Sequence, residues 1–252
     1  VKVFDWAERK MAEGQIRHLG FSFHDRYEVF ERILNGYDNW SFCQLQYNYM
    51  DVDEQAGQRG VLEAAEKGLG VIVMEPLRGG KLAVQNPPAQ VAEAFRHSQR
   101  DWTMAEWALQ WLWDQKEVSL LLSGMSTMEQ VEQNLQSASR SGVGSLTDHD
   151  RETIRRVQQA WSGLAPVPCT GCEYCMPCPN GVQIPRIFKL YNESTMYDRQ
   201  GRGQNAYQDE FTEDQRADMC VECGQCEDLC PQSIQIIQQL KDAHAYLTGE
   251  TA

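Results

Sequence analysis

Eight of the nine cysteines in this 252-residue chain fall in two short runs near its C-terminal end. The first is CTGCEYCMPC, residues 169–178, followed by Pro179; the second is CVECGQCEDLC, residues 220–230, followed by Pro231. Thiols packed this densely point to metal ligation rather than disulfides, because nothing marks the chain for an oxidising compartment. Lys2, Asp5, Glu8, Arg9 and Lys10 break up the first ten residues, which excludes a signal-peptide core there and makes a cytoplasmic location the expectation.

The spacings narrow the metal. Cys220-x2-Cys223-x2-Cys226-x3-Cys230-Pro matches the run of two-cluster ferredoxins, and Cys169-x2-Cys172-x2-Cys175-x2-Cys178-Pro is one residue short before its last cysteine. Three thiolates at i, i+3 and i+6 can hold three corners of a [4Fe–4S] cubane. The fourth, set before a proline, completes the other cluster in such proteins. The expectation is therefore two [4Fe–4S] clusters, one on Cys169, Cys172, Cys175 and Cys230, the other on Cys220, Cys223, Cys226 and Cys178. Zinc favours two separated Cys-x2-Cys pairs and fits these triple runs poorly. Cys43 lies inside the apolar stretch SFCQLQY and reads as a small core residue.

The preceding 165 residues have another character. A helix over residues 1–14, with Val3, Trp6, Ala7 and Lys10 on one face, leads to strands predicted at 16–21, 41–47, 70–75 and 118–124. Helices are predicted over 27–34, 59–68, 103–115, 126–135 and 148–164, the fourth of these opened by a Ser126–Glu129 capping box. Alternating βα units with short loops imply parallel pairing and right-handed crossovers. Four such units suit either an open sheet or half of a (β/α)8 barrel. Ala165-Pro166-Val167-Pro168 marks the boundary, which divides the chain into residues 1–165 and 166–252. Between the cysteine runs, Ile184, Ile187, Phe188 and Tyr191 form a helical stripe, and FTEDQRADMC reads as another helix. Ile234, Ile237, Leu240 and Leu247 mark a last helical face.

A formal charge of −13 provides no basic face for nucleic acid, and no apolar run approaches the length of a membrane span. Acidity of this size is compatible with docking to a basic redox partner protein.

The segments GQIRHLGFSFH, FCQLQYN, VMEPLRGGKL and LLSGMSTMEQVEQN occur in the order and spacing of the last four strands of aldo/keto reductases. The chain resembles the bacterial branch of that family that carries a C-terminal α-helical ferredoxin-like domain. The resemblance implies the last four βα units of a TIM-type barrel, NAD(P)H as cofactor, and a small carbonyl or alcohol as substrate. It implies contacts to the nicotinamide from Ser22 and Gln44, and a pyrophosphate loop at Leu77, Gly79 and Gly80. The adenosine end would meet Gly124, Met125, Ser126, Gln130, Gln133 and Asn134.

The family's proton-transfer residues come from strands that these 252 residues lack, so no catalytic residue is assigned and the chain by itself is expected to be inactive. The family's stacking aromatic is replaced by Met74 and an asparagine by Phe23, while His24 reads as a loop cap. The alternative reading is a ferredoxin-type electron-transfer protein whose barrel part has no reductase activity.

Overall fold

A computed structural model describes residues 2–250. The chain divides into two compact units, Val1–Gln158 and Gln159–Ala252.

In the first unit, strands β1 (Gly20–Ser22), β2 (Phe42–Gln46), β3 (Gly70–Met74) and β4 (Val118–Leu121) form one sheet in that order, every pair parallel. A doubly wound sheet would reverse direction from its first strand. This sheet runs one way, the order of a partial (β/α) barrel. The side-chain period of two sorts its faces. Cys43 and Leu45 of β2, and Val71 and Val73 of β3, are buried with Phe30, Leu34, Val61 and Ala64 of the crossover helices α2 (Tyr27–Asn35) and α3 (Gly57–Glu66). The other face carries Phe42, Gln44, Ile72 and Met74, all half-buried, and the exposed Leu120.

Helix α1 (Val3–Ala12) forms as expected, but only Ala7 of its predicted face is buried. Strand β1 starts at residue 20 rather than 16. The amides of Gln15 and Ile16 both bond to the Lys10 carbonyl, so the chain spends the next residues reaching the sheet, and pairing opens at Leu19 O with Ser41 N. Gly20 is required there: a Cβ would come within 2.4 Å of the Phe42 ring. Phe23 is core, 3% exposed and edge-on to Phe30.

Between β3 and α5 (Met104–Trp113) lies a helix the apolar pattern does not announce, α4 (Ala89–Arg96), begun by Pro88 and anchored by buried Val91 and Ala94. The cap of α6 (Met128–Ser139) is Thr127, not Ser126. Thr127 Oγ1 accepts the Gln130 amide, and Gln130 Oε1 accepts the Ser126 and Thr127 amides. The box moved one residue because Gln130 supplies the reciprocal acceptor that Glu129 was expected to give. Helix α7 (Asp148–Ser162) closes the unit, and no helix among the described residues is long and apolar enough to cross a membrane.

The second unit is helical. α8 (Ile184–Met196), α9 (Gln200–Glu210) and α11 (Ile236–Thr248) enclose Ile184, Ile187, Phe188, Tyr207, Leu240 and Leu247. The stretch FTEDQRADMC is not a helix but two 3-10 turns, Glu213–Gln215 and Ala217–Met219, parted by extended Arg216. The Ala217 amide donates to the buried Tyr207 hydroxyl, which pins the second turn ahead of Cys220. Helix α9 goes unread in the sequence because Gly201 and Gly203 look like loop residues. Gly203 is instead the contact point of two helices, since a Cβ there would overlap Ser194 Oγ at 2.1 Å. The last helix buries Ile236 rather than Ile237, and Ile234 is buried just ahead of it. A short α10 (Gln225–Asp228) lies within the second cysteine run.

Candidate functional site

A cavity of about 780 Å³ in the first unit opens beyond the C-terminal ends of β3 and β4. Its floor comes from the loop after β3, including Leu77, Gly79 and Gly80. Its far wall comes from the segment after β4, with Ser123, Gly124 and Met125. Two helices begin on it: Thr103, Met104 and Ala105 open α5, and Thr127, Glu129 and Gln130 open α6. Both N-termini carry a capping threonine, and their remaining free amides favour an anionic group.

The loop after β3 is held in a sparsely populated conformation. Glu75, Arg78, Gly79 and Gly80 have φ of 57°, 50°, 59° and 81°. Glycine accepts this readily, whereas Glu75 and Arg78 do not. Their position is fixed from the loop after β2. Arg78 Nε and Nη2 each reach an Asp51 carboxylate oxygen at 2.9 Å. Asn48 Nδ2 donates to Asp51 Oδ2 and to the Glu75 carbonyl. Asn48 is fully buried and Asp51 nearly so.

Of the residues expected to touch a nicotinamide cofactor, Leu77, Gly79, Gly80, Gly124, Met125, Gln130, Gln133 and Asn134 line this one cavity. Ser126 does not line it. Its amide is consumed by Gln130, and Thr127 takes its place. Ser22 and Gln44 lie apart as register partners across β1 and β2, with Gln44 Nε2 3.7 Å from Met74 Sδ. His24 is exposed and outside the cavity. Phe95, Trp102 and Thr103 are lining residues that the motifs did not single out. The signal for Thr103 was its place just before the apolar stripe of α5, where a cap belongs. Glu75 and Glu129 line the cavity, and among the described residues no lysine or arginine does.

In the second unit the two cysteine runs share a backbone design that their spacing alone does not reveal. The second and fourth residues after the first cysteine are left-handed in both: Gly171 and Glu173 in one, Glu222 and Gly224 in the other. Two reversals of twist around the middle cysteine fold each loop back on itself, so that its thiols line a common hollow. Two cavities result. One is walled by Cys169, Cys172, Cys175 and Cys230, the other by Cys178, Cys220, Cys223 and Cys226. Each therefore takes in thiols of the other run, Cys230 in the first and Cys178 with Cys175 in the second, and Cys175 and Ile184 border both.

Burial pushes the Cys175 and Cys226 thiols up to about 11, and raises Cys169 as well. Neighbouring thiols add to this, Cys169, Cys172 and Cys230 around Cys175, and Cys220 beside Cys226. Such thiols release protons only when a cation compensates their charge, so iron loading and proton release are coupled. Among the described residues no three His, Cys, Asp or Glu side chains converge on a point for a single ion. A cubane instead spreads four thiolates over four corners. Cys43 is wholly buried in β2, its thiol pushed by burial up to about 12.

The model of a 4Fe-4S dicluster domain matches residues 168–235. No curated protein sequence matches the chain. Solved structures of the aldo-keto reductase AKR11C1 from Bacillus halodurans, in holo and apo forms, are 23% and 24% identical to it, each with a TM-score of 0.48 over 60% of this chain. The chain spans about half of their length, 53% and 54%. The model of the aldo/keto reductase family matches residues 2–157, more than half of the sequence, and the chain belongs to that family.

Proposed function

We propose that the chain is the nicotinamide-binding and cluster-bearing part of a cytoplasmic iron–sulfur oxidoreductase that acts on a small carbonyl or alcohol. An aldo/keto reductase domain joined to a 4Fe-4S dicluster domain supports an oxidoreductase of iron–sulfur type. The observation that carries the finer reading is the crossed grouping of eight cysteines around two hollows, with Cys175 at the border of both. That donor set suits two [4Fe–4S] clusters, with Cys169, Cys172, Cys175 and Cys230 holding one and Cys178, Cys220, Cys223 and Cys226 the other. Protein purified without oxygen should carry about eight iron and eight sulfide per chain. A content near four, or a single bound zinc, would sink this reading.

A dinucleotide suits the larger cavity because two capped helix N-termini and a glycine turn meet there. The bound nicotinamide supplies hydride, while these residues bind and orient it. Gln130 is held by the Ser126 and Thr127 amides, Asn134 by Ser123 Oγ at 3.0 Å, and Gln133 by Glu129 at 3.0 Å, so the polar lining is largely preset.

The lining also bears on which nicotinamide binds. A 2′-phosphate is normally met by charge-assisted donors, each worth about 1.5–3 kcal/mol. Residues 123–134 contain no lysine or arginine but do contain Glu129 and Glu132. Discrimination in favour of the phosphorylated cofactor is therefore expected to be weak or absent. Energy transfer from Trp102 in the cavity wall to the reduced nicotinamide allows both affinities to be titrated without turnover. A preference of roughly a hundredfold for the phosphorylated form, about 2.7 kcal/mol and unchanged in high salt, would contradict it.

A further inference from the structure

We infer that the cavity of Cys178, Cys220, Cys223 and Cys226 is the one that faces a partner, and that this partner is a small one-electron carrier protein with a basic rim around an apolar contact patch. The inference rests on reading the two cysteine sets as cluster sites. The two cavities differ in what covers them on the solvent side. Val221 and Leu229 both wall the second one and are 63% and 58% exposed. Met219, 43% exposed, stands just before Cys220. Single exposed apolar residues are ordinary. Three within eleven residues, two of them forming the outer wall of a thiol-lined hollow, make a patch that water covers poorly.

The rim of that patch is acidic. Residues 217–231 contain Asp218, Glu222, Glu227 and Asp228 and no lysine or arginine. Glu227 is turned inward, where it accepts the Ile237 amide at 2.8 Å, and Glu222 pairs with Lys241 at 2.8 Å. His244 lies 3.9 Å from Asp218. The net field over Val221 and Leu229 is therefore negative, with Asp218 and Asp228 its outermost carriers. The first cavity has no such cover. Its exposed edge is Cys172, Thr170, Glu173, Pro231 and Gln232, with one carboxylate among them. Tyr174 is exposed beside it but lines neither cavity.

An apolar centre inside a ring of one charge is complementary to an apolar centre inside a ring of the other. Transient redox complexes use small contacts of this kind, with charge steering to raise the encounter rate and little area to slow release.

A lysine-rich c-type haem protein serves as the cationic probe, and an acidic flavodoxin-type flavoprotein as the control. Each is mixed with the cluster-loaded 252-residue chain and treated with a carbodiimide, which couples carboxylates to lysines in direct contact. Coupling to the haem protein should fall on Asp218 and Asp228 and vanish in about 0.5 M salt, where the screening length is only a few ångströms. Calorimetric affinity should fall about tenfold or more in the paired variant Asp218→Lys, Asp228→Lys, the lower end of the usual steering range. It should fall severalfold in Val221→Ser, Leu229→Ser with the salt dependence kept.

Iron is counted in every sample. If the lysine pair loses iron, Asp218→Asn with Asp228→Asn keeps the side-chain shape and must still weaken binding severalfold. A wild-type chain that cannot be loaded with iron overturns the cluster reading and this inference with it. A loaded chain that couples instead through carboxylates of the first unit, such as Glu129 or Asp148, overturns this inference alone. So does equal affinity for the acidic control.

Discussion

Cys230→Ser is expected to remove the cluster of the first cysteine run and to leave that of its own run in place. Iron should drop from about eight to about four per chain, because the cubane of the first run then loses one of its four thiolate ligands. Sequence proximity argues the other way, since Cys230 follows Cys226 by four residues but Cys175, the nearest thiol of the first set, by 55. The structure sets it instead on the wall shared with Cys169, Cys172 and Cys175. The converse substitution, Cys178→Ser, should spare the first cluster and remove the one on Cys220, Cys223 and Cys226.

The two variants together identify which signal belongs to which site. Reduced wild-type protein should give an electron paramagnetic spectrum of two interacting centres, because Cys175 and Ile184 border both hollows and so keep them adjacent. Each single variant should give the simpler spectrum of one centre, and the two simple spectra should differ. Identical residual spectra, or loss of the second-run centre in Cys230→Ser, would show that each run closes its own cluster.

The cysteine sites were legible because ligand spacing is a local property of the chain. Two runs with a trailing Cys-Pro already imply that the fourth thiol points elsewhere. What the spacing could not show is the matched pair of left-handed residues in each loop. Gly171 and Gly224 are residues that favour such a backbone, whereas Glu173 and Glu222 adopt it because the folded loop requires it.

The barrel unit was legible for a different reason. Period-two and period-3.6 patterns report burial directly, and β2, β3 and α5 fall close to where the patterns put them. The cavity was legible only in part. Residues after β3 and β4 come together there because parallel strands deliver their C-terminal loops to one end of the sheet. Ser22 and Gln44 belong to β1 and β2, not to the strands whose loops build the cavity, and no local pattern fixes how far β1 stands from β4. Helix α9 was hidden for the reverse reason, since Gly203, which suggests a loop, is needed for the close packing of two helices.

Least legible of all was the buried polar latch, whose partners Asp51 and Arg78 lie 27 residues apart in two loops. Asp51→Ala is expected to cost the first unit about 3–5 kcal/mol, the usual result of removing one partner from a buried ion pair. The Asp51 side chain is 6% exposed and that of Arg78 15%, so water cannot replace the lost carboxylate. The carboxylate also accepts from Asn48 Nδ2 at 3.0 Å and Gln46 Nε2 at 3.2 Å, two further donors that lose an acceptor. Asp51→Asn keeps the shape and some of these bonds but not the charge, and should fall between wild type and alanine.

Replacing both partners, Asp51→Leu with Arg78→Leu, should cost less than the two single changes added together, because each single change already loses the coupling between the two side chains. Urea titrations followed by tryptophan emission, with all four corners of the cycle measured, decide this. The same loss should reach the cavity. Glu75 and Arg78 hold unfavourable φ values only under this constraint, and their relaxation would move Gly79 and Gly80 in the cavity floor. Nicotinamide affinity should accordingly weaken in Asp51→Ala even at temperatures where the unit stays folded. An alanine variant destabilised by less than about 1 kcal/mol would mean that the pair is solvated in practice and that some other contact holds the loop.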